Sequence, residues 1–272
     1  MNTKIEVIDN FDFFKTQSNV NGFKQAVASE NKQIKNVELT ARDFEIIQFI
    51  IEMKFSSVDE VFRKFFKLKL NAELAKSQAW AKKRLQQLEK ARFIKSVYSF
   101  SESTRFYVGT YLGYYALAQM KPLEFLVKPH SGFDQRVFNH DQQVLNCRLH
   151  LEESRSGSDW ISERKLKSDP KALKNLTQLY IPDGVYTSTS GQKVAFELEI
   201  AMKAKSRYKD KIKKYINIIR SEKAEAKLFD RVHYVCAKDT LKSYLIKETR
   251  IYGAFFKIET LSEFLSTNGV LV

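Results

Sequence analysis

The chain has 272 residues, enough for one large domain or two modest ones. Hydrophobic residues make up 43% of it and aromatics 13%, which excludes a disordered chain; 9 Gly and 4 Pro exclude collagen-like or low-complexity structure and argue against an all-β fold built on tight turns. Lys and Arg number 46 against 32 Asp and Glu, and the net charge of +14 favours nucleic acid or an anionic membrane surface as partner. No apolar run approaches the roughly 18 residues of a membrane-spanning helix, and residues 1–12 lack the basic start and apolar stretch of a secretory signal. Two cysteines, Cys147 and Cys236, are too few for a disulfide framework or a cysteine-rich zinc site, and read as reduced structural thiols. The expectation is a cytoplasmic, basic, globular protein without a membrane partner.

Residues 1–36 are polar and irregular and read as an N-terminal arm. Thr40 caps a helix running to about residue 53, with Phe44, Ile47, Ile50 and Ile51 at helical spacing. Ser56 or Ser57 opens a second helix, residues 58–66. Ser77 opens a third, ending near Lys90, with Trp80, Ala81, Arg84, Leu85 and Leu88 on one side and Gln78, Lys82, Lys83, Gln86, Gln87 and Lys90 on the other. Residues 93–100 and 105–110 form two strands joined by a polar turn, and residues 111–120 a further helix. Three helices followed by a hairpin is the order of a winged helix-turn-helix over residues 37–121. The third helix suits a major groove, with Gln78, Lys82, Lys83 and Gln86 as contacts, while Lys95 and Arg105 on the hairpin reach the DNA backbone. The alternative is a helical bundle whose third helix is merely solvated, or a winged helix that binds protein. The break in periodicity over residues 122–135, with Pro122 and Pro129, makes this stretch the linker.

The second half reads as a helix (138–152), a short strand (159–163), a polar loop around Pro170, a strand (179–186) interrupted by Pro182, a turn at Ser190-Gly191, and a strand (193–200). A basic helix (206–220), a strand (231–236), a helix (240–247) and a strand (255–258) follow. The whole is an α+β or α/β mixed-sheet domain over residues 136–272. In Phe196-Glu197-Leu198-Glu199 both carboxylates leave the same face of a strand, and Asp183 on the preceding strand could join them. Three converging acids repel unless a cation binds, which makes Asp183, Glu197 and Glu199 candidate ligands for Mg²⁺ or Mn²⁺, with Lys203 or Lys205 stabilising charge on phosphorus. The alternative is two solvent-facing glutamates and a plain Asp183-Gly184 turn. Arg207, Lys211 and Lys214 lie three to four residues apart on one helix face and could grip a DNA backbone. Tyr208 is read as packing helix against sheet rather than as a covalent nucleophile. His130, His140, His150 and His233 lack metal-ligand spacing and read as structural or surface residues.

Pro182-Asp183, Glu197-Leu198-Glu199 and the basic helix after them resemble the PD-(D/E)XK nuclease superfamily, a restriction-endonuclease-like fold. The superfamily has lysine where this chain has Glu199, and migration of that lysine to Lys203 or Lys205 is the natural rescue. Over residues 37–265 the chain resembles the replication-relaxation family of plasmid proteins, which includes MobC-type relaxases. The resemblance rests on the winged helix, Trp160-Ile161-Ser162-Glu163, Pro182-Asp183-Gly184, Glu197-Leu198-Glu199, and Lys203 through Ser206-Arg207-Tyr208. It implies a metal-dependent DNA endonuclease or nickase of a mobile element, acting in plasmid relaxation, mobilisation or replication. Asp183, Glu197, Glu199 and Lys203 would be catalytic, and Glu163 an extra acid. Double-stranded DNA would be the partner, with a homodimer or other mobilisation or replication proteins beside it. A non-catalytic DNA-binding regulator or replication initiator on a degenerate nuclease fold is the alternative.

Overall fold

Thr40 is the last extended residue before the first helix, α1 (Ala41–Glu52). Its N–H and hydroxyl both donate to Asp43 Oδ2 at 2.7 Å, the reciprocal half of a capping box. The computed structural model describes residues 37–67, 77–99, 104–122, 126–130, 132, 134–176, 180–222 and 227–266. The predicted N-terminal arm and the tip of the predicted hairpin therefore lie outside the described residues. The chain divides into two compact units between Gln135 and Arg136. In both units helices and strands mix, giving an α+β protein with ten α-helices and two sheets among the described residues.

In the first unit a two-residue strand β1 (Ser56–Ser57) leads into α2 (Val58–Phe65). There Glu60 closes a second capping box, accepting from Ser57 N–H at 2.5 Å while Ser57 Oγ accepts from Glu60 N–H. The third helix, α3 (Ala79–Lys90), is followed by β2 (Ile94–Tyr98), β3 (Arg105–Gly109) and α4 (Tyr111–Ala118). The strands pair antiparallel in the order β1-β3-β2, with Ser57 opposite Phe106 and Ser96 opposite Tyr107. Ala81, Leu85 and Leu88 of α3 are buried with Ile46, Ile47 and Ile50 of α1, Val61 of α2 and Phe106 of β3. Trp80, expected on that apolar side, is instead 71% exposed. One residue is 100° of helix, which swings it off the Ala81–Leu85–Leu88 stripe. Asp43 also receives Arg84 of α3 in a two-pronged pair, Nε at 2.7 Å and Nη2 at 2.5 Å, which ties the start of α1 to the third helix.

The second unit runs α5 (Phe138–Glu153), β4 (Gly157–Ser162), α6 (Glu163–Ser168), α7 (Pro170–Asn175), β5 (Gly184–Ser188), β6 (Lys193–Glu199), α8 (Lys205–Ile219), β7 (Arg231–Cys236), α9 (Asp239–Thr249), β8 (Phe256–Thr260) and α10 (Leu261–Ser266). The sheet order is β4-β5-β6-β7-β8, antiparallel across the first three strands and parallel across the last three. Two expectations change. The polar loop around Pro170 is a pair of short helices, capped by Ser162 and by Asp169 with Pro170 at the first helical position. The strand expected over 179–186 starts only at Gly184, because Pro182 has no N–H to give to a ladder. Central strand β6, antiparallel to β5 and parallel to β7, is buried on both faces. One face packs Val185, Ala195, Val232 and Tyr234 against Tyr208, Ile212, Tyr215 and Ile216 of α8. On the other, Phe196 meets Trp160, His233 and Phe264 edge-on or tilted. Among the described residues no helix is long and apolar enough to cross a membrane.

Candidate functional site

Each unit carries one candidate site, outward-facing in the first and largely buried in the second. In the first, the residues of α3 that do not enter the core face outward: Lys82, Lys83, Gln86 and Lys90 are exposed, as are Lys95 on β2 and Arg105 on β3. A groove runs beside them, lined by Ser57, Val58 and Asp59 at the start of α2, by Gln78, Lys82 and Gln86, and by Thr104, Arg105 and Tyr107 of the hairpin. Gln78, the residue just before α3, donates to Asp59 Oδ1 at 2.7 Å and so braces α3 against α2. Arg105 donates to Tyr98 Oη from Nε at 3.1 Å and Nη2 at 2.8 Å, and its guanidinium lies 5.4 Å from the centre of that ring. The side chain is therefore held on the hairpin surface while staying exposed.

The second site grows from the strand end where β5 begins and β6 continues. Their pairing ends at Gly184 opposite Phe196, which leaves the backbone groups of Leu198 facing a gap on that side. Asp183 fills it: its Oδ2 accepts the Leu198 N–H at 2.8 Å. His140, on the first turn of α5, sits 3.2 Å by Nε2 from the Leu198 carbonyl and 3.4 Å from Asp183 Oδ2, with Nδ1 3.6 Å from Asp141. Both ring nitrogens thus face acids. Burial opposes protonation of this imidazole, but the carboxylates of Asp141 and Asp183 outweigh it and hold it up to about 10. Burial likewise works against ionised Asp183, yet His140 and Lys211 hold its carboxyl below the usual range.

Glu197 and Glu199 do leave one face of β6, as expected, but the face is interior: they are 2% and 1% exposed. Glu197 takes the ammonium of Lys211 at 2.6 Å on Oε2 and the hydroxyl of Tyr215 on Oε1. Glu199 Oε2 takes Lys203 at 2.8 Å and the hydroxyl of Tyr208 at 3.3 Å. Glu199 Oε1 and the hydroxyl of Tyr234, the residue opposite Glu197 on β7, are buried without a hydrogen-bond partner. Burial drives Glu197 up to about 7, with Lys211 offsetting only part of the effect, while the surrounding carboxylates keep Lys211 above its ordinary value despite burial.

Several expectations are corrected here. Among the described residues no group of three His, Cys, Asp or Glu side chains is placed to hold a metal ion; Asp183 faces His140, Glu197 faces Lys211 and Glu199 faces Lys203. Lys211 does not face solvent with Arg207 and Lys214; it is 7% exposed and turned into the sheet. Arg207 is exposed and Lys214 half-buried, on the flanks of that stripe. Lys203 pairs with Glu199, and the cation beside Glu197 is Lys211. Tyr208, by contrast, packs helix against sheet as read: it is buried, donates to Glu199 and has its ionisation pushed up by burial. Glu163 pairs with Lys167 at 2.5 Å along α6. Both cysteines are free and buried.

Sequence reasoning named Lys211 only as a DNA-backbone contact and His140 only as a structural or surface residue, and placed neither in this cluster. Lys211 carried a signal: it lies three residues after Tyr208 and four before Tyr215, in the middle of the apolar stripe of α8. His140 carried none, since only the fold brings α5 to the end of β6. Comparison of the chain with family models, curated proteins and solved structures gave no match.

Proposed function

We propose that this protein binds double-stranded DNA, with its first unit acting as a winged helix-turn-helix and its second as a restriction-endonuclease-like, PD-(D/E)XK-type scaffold that does not cut. The observation that carries the reading is the outward row of Lys82, Lys83, Gln86 and Lys90 on α3, beside a groove whose far wall bears Arg105. Twelve helical residues span about 18 Å, and a major groove about 12 Å wide admits such a helix. Glutamine can pair with an adenine edge, lysine with a guanine edge or a phosphate, and Lys95 and Arg105 extend the cationic surface onto the hairpin. The net charge of +14 supplies non-specific attraction to the duplex. The order of helix, three antiparallel strands, crossover helix and parallel strand supports the nuclease-like reading of the second unit. The plasmid-protein resemblance supports a role in relaxation, mobilisation or replication of a mobile element, as a regulator or initiator.

The competing reading is Mg²⁺- or Mn²⁺-dependent hydrolysis of DNA at Asp183, Glu197 and Glu199. It needs a bound cation where the protein has set its own ammonium and imidazole groups. Fluorescence anisotropy with labelled duplexes, and incubation of supercoiled plasmid with Mg²⁺ or Mn²⁺, separate the two. Expected are duplex binding weakened by Lys82→Ala, Lys83→Ala and Gln86→Ala, and a plasmid left intact. Metal-dependent nicking abolished by both Asp183→Ala and Glu197→Ala establishes the hydrolase instead. Absence of duplex binding removes both.

A further inference from the structure

We infer that the acid cluster at the end of β6 is built to work without a divalent ion, because His140, Lys211 and Lys203 stand in the positions such an ion would neutralise. Asp183, Glu197 and Glu199 each face a basic group of the chain, His140, Lys211 and Lys203, with Asp141 a further acid on the other side of His140, so most of the negative charge is compensated by the chain itself. The repulsion that would otherwise call for a metal is already relieved.

The oxygen inventory leads to the same place. Mg²⁺ takes about six oxygens at close range and surrenders its waters reluctantly. Asp183 Oδ2 is engaged by the Leu198 N–H and by His140, and the carbonyl of Leu198 by the same His140 nitrogen. Glu197 gives one oxygen to Lys211 and the other to Tyr215. Glu199 gives one to Lys203 and Tyr208. Asp183 Oδ1 and Glu199 Oε1 remain, on carboxylates whose other oxygens already face His140 and Lys203, and two oxygens fall well short of the about six that the ion takes. The residues present therefore do not fit the ion that the nuclease-like fold implies. An entering dication would have to displace an ammonium 2.6 Å from Glu197 and an imidazole with acids at both nitrogens. Lys211 lies on α8, which packs on the Ala195 and Tyr234 face, and His140 on α5, whose His150 meets Phe264 on the Phe196 and His233 face, so the compensation is assembled from two directions.

The inference concerns only the second unit and stands apart from DNA binding by α3. The test uses the full chain and Mn²⁺ alone. Uptake is read from loss of the free-ion electron paramagnetic resonance signal, and binding again from thermal shift. The wild type is expected to take up no Mn²⁺ at this cluster. Lys211→Ala and His140→Ala are each expected to gain uptake and a rise in melting temperature with Mn²⁺, both abolished by adding Asp183→Asn. Lys211→Arg, which keeps the charge, gains neither. Wild-type uptake that Asp183→Asn removes overturns the inference, as does a folded His140→Ala or Lys211→Ala that takes up no ion. If Lys211→Ala does not fold, the partly exposed His140 position carries the test. Duplex affinity measured in EDTA reports separately on the first unit.

Discussion

Replacing Lys211 by Met leaves the carboxylate of Glu197 buried with only the Tyr215 hydroxyl for company. Removing one partner of a buried ion pair costs about 3–5 kcal/mol, because the remaining charge keeps its desolvation penalty. At about 3 °C per kcal/mol for a unit of this size, the second unit should melt roughly 10 °C lower at pH 8. Glu197 can escape by taking a proton, and the direction of that escape is fixed. Its folded-state value lies near 7 against 4.5 for a free glutamate, so the folded state holds the extra proton and the associated stability is lost as pH rises through 7. Without Lys211 that window extends upward, and the deficit relative to wild type should grow above pH 7 and be smallest near pH 5. The chain has two tryptophans, and a Trp80→Phe background leaves Trp160, buried against Phe196, to report urea and thermal unfolding of the second unit. Adding Glu197→Gln should recover most of the loss, since both charges are then gone. A deficit under about 1 kcal/mol at pH 8, or a double variant no better than the single, would refute the account of a strongly coupled pair.

Three further outcomes follow from the same geometry. His140, held up to about 10 from 6.5, stabilises fully below 6.5 and loses that contribution as pH rises through 10. His140→Gln should therefore flatten the alkaline fall in stability, by on the order of 2 kcal/mol once solvent screening of the partly exposed ring is allowed for. Gly184→Ala should destabilise the second unit by about 1–3 kcal/mol in urea titrations, because a Cβ there collides with the Trp160 ring. Lys82→Ala should weaken duplex binding across all sequences and reduce the slope of log affinity against log salt by about 0.9, the share of one phosphate contact.

Much of the secondary structure was legible because its signals are local. Thr40, and Ser56 or Ser57, place two helix starts within a residue, and the alternation of Glu197 and Glu199 with apolar residues marks β6. Local rules also hold where the reading went astray: Asp169 and Pro170 are ordinary helix-start residues inside what looked like a loop, and Ser162 at the end of the strand before it caps the first of the two helices. Sequence could also show that Glu197 and Glu199 share a face, since that follows from the strand period alone.

Which environment that face meets is a different matter, decided only when β6 becomes a central strand covered by α8. Two glutamates on one face read equally well as solvated or as metal ligands until the cover brings Lys211, Tyr208 and Tyr215 onto them. His140 reaches Asp183 because α5 crosses the opposite side of the sheet and because β5 starts only at Gly184, which leaves Leu198 open. The sequence thus determined the elements, the charge and the candidate acids, all set by neighbours a few residues away. Tertiary structure alone decided their partners, because the free energy of a buried carboxylate depends on which donors the folded chain brings within hydrogen-bonding reach.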